Sequence, residues 1–380
     1  MKNIALVGCT GSIGSQTLSV VRRYPDMFKI TCLVAGSSAE RLGALAREFA
    51  PKTAALASGA PAHIDEVGGT KFYFGEEGAL RAVEDSGADI VLVACGGFAG
   101  LKYSLLALKM GARLALANKE TLVCGGDIIV PLGGEIVPVD SEHSAIWQCL
   151  NFERRAPFKN LILTASGGPF RDKNFDELKG VTPAQALNHP TWSMGAKITI
   201  DSATLLNKGY EVIEAHHLYG ADYASIKTVI QPQSIIHSMV EFEDGAILAQ
   251  LSNPTMELPI QLALTYPQRL DCGLKKLDWG KAFSLEFIPL ERKKYPMYDL
   301  ALSCGRAGGI LPAVLNAASE VAVGAFLCGR IGYCDIWRVA DAVVQGVSNC
   351  PAQSYEQLAE ADRSARAAAD IYIKKRYNGT

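Results

Sequence analysis

Four consecutive residues in "VPVDSEHSAIWQ", Asp140, Ser141, Glu142 and His143, gather two carboxylates, a hydroxyl and an imidazole. Such a set can serve a metal site, contribute to a Ser-His-acid triad, or form a polar turn that starts a helix. In an extended segment Asp140 and Glu142 share one face, while Ser141 and His143 share the other. That alternation argues against a triad, since Ser141 and His143 cannot readily reach one another as nucleophile and base, and no nucleophile elbow occurs in the chain. Two carboxylates on one face suit a hard divalent cation such as Mg²⁺ or Mn²⁺, provided at least a third ligand comes from elsewhere.

The stretch "HPTWSMGAKITIDSATLLNKGYEVIEAHHLYG" holds a candidate for that ligand. Its pattern turns helical after Asp201 and Ser202. Asn207 and Glu211 then fall on one helix face with Lys208 beside them. Hydroxyls, an amide and an ammonium near a helix start suit a phosphate. Ser166 in "TASGGPFR" follows a strand and precedes a Gly-Gly loop, a second place for an anion. Taken singly, Ser202 could be an N-cap, Lys208 a solvated cation and Glu211 a surface acid. The loop "HPTWSMG" carries His189, Trp192 and Met194. So many large side chains in one loop point either to a lid that excludes water or to a loop packed against a neighbouring domain.

A nucleotide site is legible at the other end. "GCTGSIGSQT" spaces Gly8, Gly11 and Gly14 as G-x-x-G-x-x-G, after a first strand and at a helix start. Gly8 permits a tight turn, Gly11 a close pyrophosphate and Gly14 close helix packing. The second strand ends in Gly36-Ser37-Ser38, with Glu40 and Arg41 beyond, and no acid at its tip for a ribose 2′-hydroxyl. Hydroxyls and a cation there favour NADP over NAD; the plainer reading is a serine turn capping a helix. Asn118, Lys119 and Glu120 in "LANKETLV" end a fifth strand, at the edge where ligands of such sheets bind.

These residues need a scaffold, and the chain is long enough for two or three domains at 380 residues. With 49% hydrophobic and 20% charged residues it has the composition of a globular protein, and its net charge of -2 offers no overall basic field for nucleic acid. Its ten cysteines form no C-x-x-C pair and sit mostly in apolar runs, as expected of reduced thiols in a cytoplasmic protein. Glycines break the N-terminal apolar run before it resembles a signal segment. No stretch approaches the about 20 apolar residues of a membrane span.

"NIALVG", "KITCLVAG", "DIVLVAC" and "ARLALAN" read as buried parallel strands alternating with amphipathic helices. The expected fold is α/β: a Rossmann-like doubly wound sheet over 1–140 and an α+β catalytic and dimerisation domain over 141–266. A linker over 267–292 and a helical bundle over 293–380 complete it. In the middle region "TVIQPQSIIHSMVEFE" reads as strand, and a hairpin turns about "EDGA". The apolar face of this hairpin needs a partner layer, which a second subunit could provide.

Taken together, "GCTGSIG", "ANKETLV", "VDSEHSAIWQ", "TASGGPFR", "HPTWSMGAKITIDSATLLNKGYEVIEA" and "PAVLNAASEVAVGAFL" resemble, in this order, the 1-deoxy-D-xylulose 5-phosphate reductoisomerase family over essentially the whole chain. The resemblance implies a homodimeric, NADPH-dependent enzyme using Mg²⁺, Mn²⁺ or Co²⁺. It would rearrange a small phosphosugar and reduce the resulting aldehyde to 2-C-methyl-D-erythritol 4-phosphate. Carried over by motif, Thr10, Gly11, Ser12, Ile13, Gly36, Asn118, Glu120 and Gly195 would contact NADPH, with Ser37 and Ser38 at its 2′-phosphate. Asp140, Glu142 and Glu211 would hold the metal. Ser166, Ser202, Asn207 and Lys208 would hold the substrate phosphate, and Lys119, Ser141 and His189 the rest of the substrate. Trp192 and Met194 would belong to a closing flap. The roles assigned to reacting groups fall on Lys119, Glu142 and His189. The chain departs from the family pattern at Ser37-Ser38, where Lys-Asn is common, at Thr191 for Asn, and at Ala165 for Gly.

Two other readings stay open at this stage. A simple NADP-dependent dehydrogenase of the homoserine or semialdehyde type shares the glycine-rich start and an "ANK" turn but needs no carboxylate triad. A redox-sensing NADP-binding protein would have little use for a phosphate grip.

Overall fold

The computed structural model describes residues 1–58, 68–152, 157–192 and 194–377. In chain order the first half contains β1 (Lys2–Val7), α1 (Ser12–Arg23), β2 (Phe28–Ala35), α2 (Ala39–Phe49), β3 (Thr53–Leu56), β4 (Lys71–Phe74), α3 (Gly75–Glu84), β5 (Ile90–Val93), α4 (Gly100–Lys109), β6 (Arg113–Leu116), α5 (Lys119–Ile129), β7 (Ile136–Pro138) and α6 (Ser141–Phe152). The second half runs β8 (Phe158–Ala165), α7 (Pro183–Ala186), α8 (Ala196–Ala203), α9 (Leu206–Tyr219), β9 (Ile226–Ile230), β10 (Ile236–Phe242), β11 (Ile247–Leu251), α10 (Glu257–Thr265), β12 (Ile288–Pro289), α11 (Pro296–Ala307), α12 (Leu311–Leu327), α13 (Tyr333–Gln345) and α14 (Tyr355–Tyr377).

The chain forms two compact units. Met1–Thr121, Pro131–Ser144 and Thr255–Lys275 make the first; Leu122–Val130, Ala145–Pro254 and Lys276–Thr380 make the second. The expected boundaries at 140, 266 and 292 do not coincide with these units. The C-terminal helices cluster with the second sheet, and the start of the expected linker belongs with the first unit. Arg23 explains part of that return: its guanidinium meets the Glu257 carboxylate at 2.7 Å and the Gln261 side chain at 3.3 Å. Arg113 donates to the Ala263 carbonyl at 3.3 Å.

In the first unit seven parallel strands lie in the order β4-β3-β2-β1-β5-β6-β7. Ile4, Leu6, Leu33, Leu92 and Leu114 are all 0% exposed, because βαβ crossovers cover both faces of a parallel sheet. Cutting any of them to Ala costs about 2–5 kcal/mol. The order reverses between β1 and β5, which opens a crevice at the carboxyl ends of those strands. The strand expected as fifth is β6, since β3 and β4, four residues each, precede it.

The second unit holds a mixed sheet in the order β11-β10-β8-β9-β12, with β8 and β9 parallel and the other pairs antiparallel. The hairpin about "EDGA" forms between β10 and β11; Gly245 has φ +86°, and the Asp244 carboxylate accepts from Ala246 N at 2.9 Å. The expected long strand through "TVIQPQSIIHSMVEFE" is broken into β9 and β10 by a turn at Gln231, whose Oε1 accepts from Ile235 N at 2.9 Å. Val212 of α9, Leu161 and Leu163 of β8, and Tyr298 of α11 share one core. Gly209 lets α11 approach α9, since a Cβ there would stand 2.5 Å from that of Ala301.

Candidate active site

In the first unit the glycine turn has the geometry its spacing implies. Gly8 has φ +88°, and a Cβ on it would lie 2.7 Å from the Ala94 carbonyl after β5; one on Gly14 would lie 2.3 Å from the Gly8 oxygen. Only glycine lets β1, the β5 loop and α1 approach so closely. Gly11 is the exposed N-cap of α1 and has no side-chain cap, so the helix presents its amides beside Thr10, Ser12 and Ile13. Gly36 and Ser37 are exposed at the end of β2. Ser38 takes the N-cap position of α2 but makes no side-chain cap bond, which removes the plainer explanation offered for that serine.

Asn118 is 2% exposed and hydrogen-bonded all round. Its amide donates to the Cys95 and Gly97 carbonyls at 2.9 and 3.0 Å and to Glu120 Oε2 at 2.7 Å. Its oxygen accepts from Thr121 N at 2.9 Å, which caps α5. Glu120 Oε1 accepts from Gly97 N at 3.1 Å. Both side chains therefore fasten the loop after β5 to the start of α5, at the crevice where the strand order reverses.

The opening quartet is not extended. β7 ends at Pro138 and α6 starts at Ser141. Asp140 is the cap: its Oδ1 accepts from Glu142 N at 3.1 Å and His143 N at 3.4 Å. The strand alternation expected for Asp140 through His143 is thus replaced by helical geometry. Ser141 and Glu142 now touch, the hydroxyl donating to Glu142 Oε2. Lys119 pairs with Asp140 Oδ2, both side chains 12% exposed. His143 is fully buried behind this cap.

In the second unit Ser166 follows β8 and faces a second network. His189 Nδ1 accepts two backbone N–H groups, from Thr191 at 3.1 Å and Trp192 at 2.9 Å. Nδ1 is therefore unprotonated, and Nε2–H faces the Ser166 and Ser202 hydroxyls at 3.1 and 3.2 Å. Burial and the nearby Arg171 charge hold the His189 pKa below its ordinary value, which favours the neutral imidazole. Gly167 and Gly168 have φ +85° and +67°, and a Cβ on Gly168 would come 2.9 Å from the Ser202 oxygen. The two serines are brought together by that close approach.

Ser202 is not an N-cap. α8 starts at Ala196, with exposed Gly195 as its N-cap, and Ser202 lies in its last turn. Leu205, at φ +56°, separates it from α9. On α9 the Asn207 amide donates to Glu211 Oε1 at 2.7 Å, and the Lys208 ammonium pairs with Glu211 Oε2. Lys208 is 3% and Glu211 1% exposed, so neither is a solvated surface charge. Trp192 is half-buried with its ring 6.4 Å from that of His237. Met194 is half-buried too, while Ser193 between them lies outside the described residues.

Three family models match, described as 1-deoxy-D-xylulose 5-phosphate reductoisomerase over residues 4–126, its C-terminal domain over 136–219, and DXP reductoisomerase C-terminal domain over 251–368. A 1-deoxy-D-xylulose 5-phosphate reductoisomerase of Desulfitobacterium hafniense is 47% identical, covering 96% of this chain and 98% of its own. The chain belongs to the 1-deoxy-D-xylulose 5-phosphate reductoisomerase family. A reductoisomerase from Thermosynechococcus vestitus is 45% identical over 97% of this chain and 92% of its own. The reductoisomerase of Zymomonas mobilis, solved in complex with NADPH, matches with a TM-score of 0.91 and 36% identity, covering 98% of this chain and 99% of that one. A DOX-P reductoisomerase in complex with NADPH, fosmidomycin and magnesium matches with a TM-score of 0.92 and 37% identity, covering 98% of each chain.

Arg171, which residue spacing does not single out, also reaches the network of Ser166 and His189. Its guanidinium donates to the Ser166 carbonyl at 3.4 Å and lowers the His189 pKa. The signal was present, since "TASGGPFR" ends in that cation, but loop spacing alone does not say where an arginine turns.

Proposed function

We infer that the chain catalyses the NADPH- and divalent-metal-dependent rearrangement and reduction of 1-deoxy-D-xylulose 5-phosphate to 2-C-methyl-D-erythritol 4-phosphate, a step of isoprenoid precursor biosynthesis. The observation that carries this is 47% identity to a reductoisomerase across 96% of the chain. When bound, NADPH supplies the hydride, and Mg²⁺, Mn²⁺ or Co²⁺ supplies Lewis acidity at the substrate's carbonyl and hydroxyl oxygens.

The donor set fits such a cation. Asp140, Glu142 and Glu211 each offer a carboxylate oxygen, the hard ligand these ions prefer. We assign the dinucleotide to the uncapped start of α1, with Thr10 through Ile13 on its phosphates and Gly36, Ser37 and Ser38 toward the 2′-phosphate. Asn118 and Glu120 shape the crevice, and Gly195 completes the set. Ser166, Ser202, Asn207 and Lys208 hold the substrate phosphate: two hydroxyls, an amide and a buried ammonium. Their grip is remote binding energy that orients the carbon skeleton.

Lys119 places positive charge beside the reacting oxygens, and Ser141 and Glu142 hold substrate hydroxyls. His189 donates from Nε2. Its Nδ1 holds the backbone of Thr191 and Trp192, so binding at the serines is felt by the loop carrying Trp192 and Met194. That loop would exclude water from the aldehyde. A homodimer and a cytoplasmic setting complete the reading. β11 is an edge strand with Ile247 and Leu248 exposed, and all ten cysteines are free thiols. Among the described residues no helix is long and apolar enough to cross a membrane.

The test is NADPH oxidation followed by absorbance with 1-deoxy-D-xylulose 5-phosphate, with and without divalent metal, and mass analysis of the product. Oxidation should require both substrate and metal. Undiminished turnover after exhaustive chelation would favour a simple dehydrogenase. NADPH that binds but is never oxidised would favour a sensing protein.

A further inference from the structure

Lys294, just before α11, is a buried cation that the reaction has not used. It is 6% exposed. Its ammonium donates to the Arg171 carbonyl at 2.5 Å and stands 5.5 Å from the Tyr295 ring centre. Burial pushes its pKa down, while Glu291, Asp172 and Glu177 oppose the shift from a distance. No salt bridge to it occurs among the described residues. A buried ammonium is costly to keep, and what this one holds is a single carbonyl of the loop that follows β8.

That loop is fastened at each end. Arg171 donates back to the Ser166 carbonyl at 3.4 Å, and Gly168 N donates to the Ser166 hydroxyl at 3.3 Å. Between them Phe170, 2% exposed, packs edge-on against Tyr333 of α13, with ring centres 5.3 Å apart. Gly167 and Gly168, both at positive φ, let the chain fold tightly but give it no stiffness of their own. The stiffness comes from Lys294 and Tyr333, which the C-terminal helical segment provides.

We propose that Lys294 is a positioning residue for the substrate phosphate: its ammonium fixes the Arg171 carbonyl and so sets the turn that aims Ser166 at the anion. This rests on the assignment of Ser166 to the phosphate. The C-terminal helical segment then belongs to substrate recognition. The lysine's charge, held against the Arg171 carbonyl, would also favour an anion at the same loop without touching it.

The experiment compares Lys294→Met, Lys294→Arg and Ser166→Ala in the full-length protein. It measures KM and kcat for 1-deoxy-D-xylulose 5-phosphate, the inhibition constant of inorganic phosphate, and NADPH affinity. Met keeps the aliphatic stem and removes the charge and the donor to the Arg171 carbonyl. In Lys294→Met, KM and the phosphate inhibition constant should rise together by about tenfold, the loss of one charge-assisted hydrogen bond. kcat should change by less than about threefold and NADPH affinity should hold. Lys294→Arg should restore most of the loss, since it keeps charge and donor. If Ser166→Ala weakens phosphate but Lys294→Met does not, the positioning role is wrong. If Ser166→Ala leaves phosphate binding untouched, the assignment of Ser166 fails instead. Equal loss of NADPH and phosphate affinity in Lys294→Met would mean general damage and would also overturn the proposal.

Discussion

Glu211 is the most enclosed of the three candidate metal carboxylates. It is 1% exposed, and its two oxygens meet the Asn207 amide and the Lys208 ammonium. Under the proposed assignment, a metal-bound Glu211 would exchange one of these partners. Glu211→Gln keeps the volume and removes the charge. It should raise the Mg²⁺ concentration needed for turnover and cut kcat/KM by about a hundredfold or more, while a fluorescence titration finds NADPH affinity nearly unchanged. Full activity in that variant would sink the metal assignment. Residue types were readable here, but burial was not: a Lys-acid pair on a helix looks the same in sequence whether solvated or enclosed. Asp140 shows the converse. Its type suited a metal, yet its first structural task is to cap α6, and a cap is set by a backbone bend that alternation arguments do not see.

The elements that place these residues are short and depend on glycine. The turn at Gly167 and Gly168 is one. At Gly168, φ is +67° and a Cβ would fall 2.9 Å from the Ser202 oxygen, so Gly168→Ala is strained in both backbone and space. It should cost about 1–3 kcal/mol of stability in chemical denaturation and raise KM for the phosphosugar more than it lowers kcat. An unchanged KM would separate the turn from phosphate binding. The helical start at Ala196 was not legible, because Ile198, Thr199 and Ile200 are β-branched and weakly helical. Tertiary packing overrides that preference: Thr199 and Ile200 are buried at 2% and 0%. By contrast β1, α1 and β2 follow directly from unbroken apolar runs separated by an amphipathic period.

At the scale of the molecule, β11 is a strand edge with exposed apolar side chains, Ile247 at 52% and Leu248 at 37%. Edges of this kind invite pairing with another chain. If the proposed homodimer forms through this edge, Leu248→Lys should shift the protein from dimer to monomer in sedimentation velocity; a wild-type monomer would refute that proposal. Acid stability has a separate source. His217 packs where a Cβ on Gly126 would stand 2.3 Å from its ring, and burial lowers its pKa to about 4, with Asp127 opposing and His216 assisting. The unfolded chain binds that proton from about pH 6.5, so folding stability is full above that pH and falls as pH drops toward about 4. The loss is on the order of 3 kcal/mol, and His217→Gln should flatten this part of the curve in urea melts. No flattening would mean that other groups set the acid limit.

Sequence alone determined the α/β class, the glycine turn after the first strand and the identity of the carboxylates, hydroxyls and cations, because apolar period, glycine spacing and residue type are local properties. It also placed the family, through long motifs in fixed order. Tertiary structure decided what depends on contacts distant along the chain. It returned residues 255–275 to the first unit, turned Asp140 into a helix cap, buried Lys208 with Glu211, and set the His189 tautomer between two backbone amides and two serines. Each of these rests on which groups exclude water from one another, and that is settled only when the chain has folded.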